Sequence, residues 1–108
     1  MPHHWTFLTN HAQVLLAIAA RPQITAREIA ARVGITERQV QHIVVDLEAD
    51  GYLTKAREGR TNVYAVNREQ PMRHAAQAGR TVGDLLRALE RGASAALAEA
   101  GDERSTGA

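Results

Sequence analysis

The chain has 108 residues, with 44% hydrophobic and 23% charged side chains and a formal net charge of +1, which fits one small globular domain and by itself indicates no charged partner. Cysteine does not occur in the sequence, which excludes disulfides, thiolate zinc sites, iron–sulfur clusters and thiol redox switches. Since no apolar run approaches the roughly 18 residues of a membrane span and the N-terminus lacks the basic-then-apolar pattern of a secretory signal, we expect a cytoplasmic protein.

The first predicted element is a helix over about residues 10–20, with apolar residues at helical spacing. Its core face carries Val14, Leu15, Ile18 and Ala19. Three apolar residues before it are expected to fold back as a lid on the core: Trp5, Phe7 and Leu8. Pro22 ends the helix, because the residue before a proline is pushed out of helical geometry. One or two residues of strand are expected at Ile24.

Two capping boxes follow, Thr25 to Glu28 and Thr36 to Gln39, and each marks the start of a helix. The first helix covers residues 26–32, and Gly34 is suited to end it in a left-handed conformation. The second runs to about Gly51, and its core stripe has the i, i+3, i+4, i+7 spacing of Val40, Ile43, Val44 and Leu47. Two helices joined by a short turn containing glycine make a helix-turn-helix.

After these helices the hydrophobic period changes from about 3.6 to 2. Residues 52–57 and 61–66 alternate around a turn that contains Gly59, which predicts a β-hairpin. Leu53 and Val63 are expected to face the core, with Ala65 as a further candidate. A hairpin after a helix-turn-helix is the wing of a winged helix, so we expect a mainly α fold with a two- to three-stranded β wing.

Residues 67–80 are predicted to be a connector with at most one helical turn near Met72, before a last helix capped by Thr81 to Asp84. The apolar side of this helix is long for a domain whose core is already closed, so we expect a homodimer through it. The alternative is that it folds back over its own core. The expected dimerisation residues are Val82, Leu85, Leu86, Leu89, Ala93 and Leu97. The expected organisation is a DNA-binding domain over 1–68, a connector and dimerisation helix over 69–100, and a disordered tail over 101–108.

The side of the second helix opposite its core stripe carries residues able to read DNA. Arg38 can pair with guanine and Gln41 with adenine, while Val45 can contact a thymine methyl. The Thr36 hydroxyl and the helix N-terminus can hold a phosphate. Three acids in the second half of the helix are expected to point away from the groove: Asp46, Glu48 and Asp50.

The predicted wing carries basic residues that suit a second DNA contact. Arg60 lies at its tip, from which an arginine can enter a narrow minor groove. Lys55 and Arg57 are expected to contact phosphates, and Arg27 at the start of the helix-turn-helix is a candidate for the same role. The alternative is that all these charges are simply solvated.

Residues 25–66, TAREIAARVGITERQVQHIVVDLEADGYLTKAREGRTNVYAV, resemble the small winged-helix transcriptional regulators of the MarR/ArsR type. The resemblance assigns five residues to the groove-facing edge of the recognition helix: Thr36, Glu37, Arg38, Gln41 and His42. It assigns Arg57, Arg60 and Asn62 to the wing. The cysteine and histidine metal sites of many ArsR-like sensors are missing here, and the helices that bracket the winged helix in MarR proteins are shortened, so no effector chemistry is carried over.

The sequence therefore predicts a sequence-specific regulator of transcription that binds double-stranded DNA as a homodimer at the nucleoid. No catalytic residues, no cofactor and no metal site are expected, because the histidines lack ligand spacing and no nucleophile lies in a catalytic motif. Two alternatives stay open. One is a protein-interaction module, favoured by the near-neutral charge. The other is a sensor of an unknown small molecule, with a pocket near Trp5, Met72 and His74.

Overall fold

The computed structural model describes residues 5–90, and the chain divides into two units, Met1–Asn67 and Arg68–Ala108. The elements of the first unit are α1 (Asn10–Ala20), α2 (Ala26–Val33), α3 (Glu37–Ala49), β1 (Leu53–Glu58) and β2 (Thr61–Val66). The strands form an antiparallel two-stranded sheet. A helix-turn-helix followed by this hairpin is a winged helix, which confirms the predicted fold.

The starts of α2 and α3 are fixed by reciprocal side-chain hydrogen bonds. The Thr25 hydroxyl accepts from the Glu28 N–H at 3.1 Å, and a Glu28 carboxylate oxygen accepts from the Thr25 N–H at 2.9 Å. Thr36 and Gln39 repeat this arrangement at α3. Both predicted capping boxes are therefore present, and each satisfies two amides that the helix itself cannot.

The core of the first unit is built from one face of each helix and from the base of the wing. Its buried helical residues are Val14, Leu15, Ala17, Ile18, Ile29, Ala30, Val40, Ile43, Val44 and Leu47. Ile24, Tyr52, Leu53 and Tyr64 complete it. Because the whole predicted stripe of α3 is buried, the opposite side of that helix faces solvent.

The register of the wing differs from the expected one. Glu58 pairs with Thr61 across the Gly59-Arg60 turn, so odd-numbered residues of β1 share a face with even-numbered residues of β2. Leu53 and Tyr64 are therefore buried on the core side. Val63 and Ala65 lie on the other face, where Ala65 is exposed, so their predicted core position is wrong.

Two expectations around α1 are also wrong. Trp5 and Phe7 are 69% and 91% exposed and pack on each other, with ring centroids 5.0 Å apart, instead of covering the core. Only Leu8 of the expected lid is half-buried. The segment at Ile24 forms no strand within residues 5–90, although Pro22 before it accepts a backbone hydrogen bond from Tyr64 in the wing.

In the second unit, a loop is closed by the antiparallel bridge between Pro71 and Thr81 and contains one 3-10 turn, Ala75–Gln77. Thr81 and Asp84 then exchange N-capping hydrogen bonds at the start of a helix that occupies residues 82–90. Residues 91–108, with the expected continuation of this helix and the expected tail, lie outside the described residues.

Candidate nucleic-acid interface

The solvent-facing side of α3 presents the side chains that the sequence assigns to base recognition. Arg38, Gln41, His42 and Val45 are all exposed. Val45 is 61% exposed, which is a high value for a large aliphatic residue in the middle of a helix that buries its other face. The Thr36 hydroxyl, in contrast, is already engaged in the capping box with Gln39.

A cleft of about 370 Å³ separates this side of α3 from the wing. Residues expected to bind DNA line it from both elements: Gln41 and Val45 from α3, and Lys55, Arg60 and Asn62 from the wing. No hydrogen bond or ion pair joins Lys55 or Arg60 to another residue between 5 and 90. The fold therefore brings two unpaired cations next to the reading side of the helix.

Tyr64 belongs to this cleft, although the sequence placed it only within the wing pattern. It is 8% exposed, and its hydroxyl has no hydrogen-bond partner among the described residues. Burial raises the pKa of this hydroxyl, and the negative charge of Glu48 raises it further. A phenol hydroxyl is a hydrogen-bond donor, and Tyr64 is one of the residues that line the cleft.

On its other side, α3 borders a groove with the start of α1. This groove has a volume of about 560 Å³, and its lining includes Arg38, His42 and Asp46 from α3 together with His11 from α1. His11 Nε2 lies 2.8 Å from Asp46 Oδ2. We call this cavity between α1 and α3 the α1–α3 groove. This pair could not be predicted from sequence spacing, because 35 positions separate its members.

Two of the acids expected to point away from the DNA groove line the two cavities beside α3. Glu48 lines the cleft with Lys55, and Asp46 lines the α1–α3 groove with Arg38. Their orientation relative to bound DNA stays a prediction, although residues two turns further along α3 share the sides of its first turn. Asp50 caps the C-terminal end of α3.

Three further predicted contacts lie outside both cavities. Arg27 is exposed on the first turn of α2, and Glu37 is exposed on the first turn of α3. Arg57 lies on β1 opposite Asn62 and is exposed. All three are accessible, and Arg57 is paired across the hairpin with the cleft residue Asn62.

Residues 5–90 contain no group of three histidine, aspartate or glutamate side chains arranged to hold a metal ion. In this part of the chain no helix is long and apolar enough to cross a bilayer.

A family model described as MarR family matches residues 6–61. This match covers just over half of the 108 residues and extends from before α1 to the start of β2. The chain belongs to the MarR family. It is therefore related to winged-helix transcriptional regulators and not to enzymes, and of the two families in the expected MarR/ArsR resemblance the match names the first.

The MarR-family chain is also similar to solved structures. The PcaV transcriptional regulator from Streptomyces coelicolor, in complex with its natural ligand, has 27% identity and a TM-score of 0.49, covering 56% of this chain and 45% of PcaV. MepR, a transcription regulator of the Staphylococcus aureus multidrug efflux pump MepA, has 14% identity and a TM-score of 0.48, covering 90% of this chain and 70% of MepR. The chain thus spans less than half the length of PcaV. No curated protein sequence matches it.

The expected dimerisation residues of this MarR-family chain differ in their exposure. Val82 and Leu86 are only 5% and 0% exposed within the single chain, so they offer no free surface to a partner. Leu85 and Leu89 are half-buried and remain accessible. Ala93 and Leu97 lie outside the described residues.

Proposed function

We propose that the chain is a sequence-specific regulator of transcription that binds double-stranded DNA at the nucleoid as a homodimer. One observation carries the proposal: the exposed side of α3 and the unpaired cations of the wing border a single cleft. MarR-family regulators bind DNA and typically act as dimers, which agrees with this arrangement.

In this proposal α3 reads the major groove. Its 13 residues make a helix of about 20 Å, and such a helix fits a groove of about 12 Å width. Arg38 would pair with the O6 and N7 atoms of guanine, Gln41 with the N6 and N7 atoms of adenine, and Val45 with a thymine methyl. His42 is also on the reading side of α3. Glu37, on the first turn, can accept a hydrogen bond from a cytosine amine.

The wing supplies contacts that depend less on sequence. Arg60 follows Gly59 at the hairpin turn, and from there its guanidinium would enter the minor groove. Lys55 and Arg57 would contact phosphates, as would Arg27 and the free amides at the start of α3, while Asn62 would donate to the backbone. The Tyr64 hydroxyl would be a further hydrogen-bond donor to the DNA backbone.

The dimer is proposed through the helix that starts at residue 82. Leu85 and Leu89 are the accessible apolar residues of its described part. A two-fold dimer would place two copies of α3 about 34–36 Å apart, one turn of DNA, and would select palindromic sites.

The test is selection of bound sequences from a random duplex library, followed by affinity measurements at one fixed salt concentration. Wild-type protein should enrich a palindrome. Arg38→Ala and Gln41→Ala should weaken binding to it and relax the preference at one position each, by about 1–3 kcal/mol. Arg60→Ala should weaken binding to all sequences alike.

Arg32→Ala is the matched control, because Arg32 is an exposed arginine on α2 that lines neither cavity. It should retain the affinity and preference of the wild type. If the variants at Arg38, Gln41 and Arg60 all keep wild-type affinity, the docking proposal is wrong, and a protein-interaction role for the winged helix is favoured instead.

A further inference from the structure

The α1–α3 groove is lined by basic side chains, one of which, His11, has no role in the DNA contacts proposed above. Arg38 and His42 line it, and neither has a hydrogen-bond or ion-pair partner within residues 5–90. His11 faces them from α1. No wing residue lines this groove, so it lies on a different side of α3 from the cleft.

The bond between His11 and Asp46 determines what His11 can do. A carboxylate only accepts hydrogen bonds, so the His11 Nε2 atom, 2.8 Å from Asp46 Oδ2, carries the proton. The other ring nitrogen, Nδ1, then accepts in the neutral ring and donates only when the ring is protonated. Protonated His11 can therefore donate to an anion while Asp46 fixes its orientation.

The charges around His11 favour an anion in the groove. The titratable and charged groups that face it are Arg38, His42 and Asp46, all from α3, and the lining of the groove includes none from α2 or the wing. A protonated His11 offsets the charge of Asp46, which would otherwise repel an anion. Arg38 is permanently charged.

We infer that the α1–α3 groove binds a backbone phosphate of duplex DNA, with His11 as a direct contact and Asp46 as its positioning residue. The inference rests on the proposed function. A helix with its side chains is about 10–12 Å wide, nearly the width of the major groove, so both flanks of an inserted helix lie against a phosphate backbone. The wing contacts one DNA strand, and His11 contacts the other strand, on the opposite flank of α3.

The experiment measures affinity of the full chain for a mixed-sequence duplex of about 24 base pairs, two helical turns, across a salt series at pH 6 and pH 8. Wild-type affinity should be higher at pH 6. His11→Gln keeps a donor to Asp46 but cannot take up a proton, so at pH 6 it should weaken binding about three- to tenfold and reduce the salt slope by about one contact. His74→Gln, which changes an exposed histidine of the second unit, is the control and should leave the affinity and the salt slope unchanged.

A double-mutant cycle identifies the role of Asp46. Asp46→Asn should weaken binding at pH 6 in the otherwise wild-type protein, because a neutral amide oxygen is a weaker acceptor than a carboxylate and orients His11 less firmly. In the His11→Gln background it should strengthen binding, because only repulsion of the phosphate is then removed. Thermal unfolding of each variant verifies that the fold is retained.

Two results would overturn the inference. The first is Asp46→Asn strengthening binding equally in both backgrounds, which would make Asp46 a repelling charge only. The second is unchanged affinity and salt slope in His11→Gln. If Arg60→Ala still weakens binding in that case, the proposed function stands without the groove; if wild-type protein binds no duplex at all, both fail.

Discussion

At the scale of single residues, two glycines are required for different physical reasons. Gly34 has φ +88°, and the space where its Cβ would lie is open, so backbone conformation alone favours glycine there. Gly83 lies in a helix with ordinary φ, but a Cβ would lie 2.6 Å from the Arg68 carbonyl oxygen. That oxygen accepts the Gly83 N–H at 2.8 Å, so the two backbones are held together.

Gly83→Ala should therefore destabilise the protein, although replacing glycine by alanine within a helix normally gains about 0.5–1 kcal/mol. The expected loss is about 1–3 kcal/mol, because backbone must move to admit the methyl group. Urea unfolding followed by circular dichroism measures it. Ala88→Ser, at an exposed position of the same helix, should change the stability by no more than about 0.5 kcal/mol. A Gly83→Ala protein as stable as the wild type would contradict the close approach.

The reading residues of α3 could be predicted at this scale because the core stripe fixes the orientation of the helix. Once Val40 and Leu47 are assigned to the core, Arg38 and Gln41 must face solvent. The bond between His11 and Asp46 could not be predicted, because it depends on how α1 crosses α3. Sequence spacing carries no information on such a contact.

At the scale of elements, the helix boundaries follow from local chemistry. Each capping box lies within four consecutive residues, so the sequence alone was sufficient to predict the starts of α2 and α3. The hairpin was also predictable from its alternation, but its register was not. A shift of one residue exchanges the two faces, which is why Tyr64, and not Val63, reaches the core.

The capping box of α2 predicts a pH dependence of stability. The hydrogen bond from the Thr25 N–H lowers the pKa of Glu28, and Arg21 lowers it further against the opposing effect of desolvation. A carboxyl group with a lowered folded-state pKa stabilises the protein above its unfolded-state pKa, and this contribution is lost as the pH falls through the folded-state value.

Wild-type protein should therefore lose more thermal stability than Glu28→Gln between about pH 5 and pH 3. Glutamine is a suitable comparison, because it also serves in capping boxes and does not titrate. Melting temperatures measured across this range test the difference. Parallel curves for the two proteins would show that the ionised Glu28 side chain makes no contribution.

At the scale of the whole molecule, the sequence predicted the winged helix but not the position of its N-terminal aromatic residues. Trp5 and Phe7 were expected on the core because large apolar residues are usually buried. The core is instead completed by Ile24, Tyr52 and Tyr64, and the two rings pack on each other. A short segment before the first helix has no periodicity from which this could be inferred.

The proposed dimer predicts that Leu89→Glu lowers the molecular mass in solution toward that of a monomer. The reason is that a charge placed in an apolar interface loses its hydration without gaining a partner. Ala88→Glu adds the same charge at the neighbouring exposed position and should leave the mass unchanged. Light scattering coupled to gel filtration measures both. A wild-type protein that is monomeric at all concentrations would contradict the dimer.

The most direct test of the account is to map backbone amide chemical shifts of the isotope-labelled chain while a duplex carrying the selected site is added. We expect the shift changes to concentrate on the exposed side of α3, at Arg38, Gln41 and Val45, and at the tip of the wing around Arg60, with little change at Arg32. Shifts confined to other surfaces, with α3 and the wing unperturbed at saturating DNA, would contradict it.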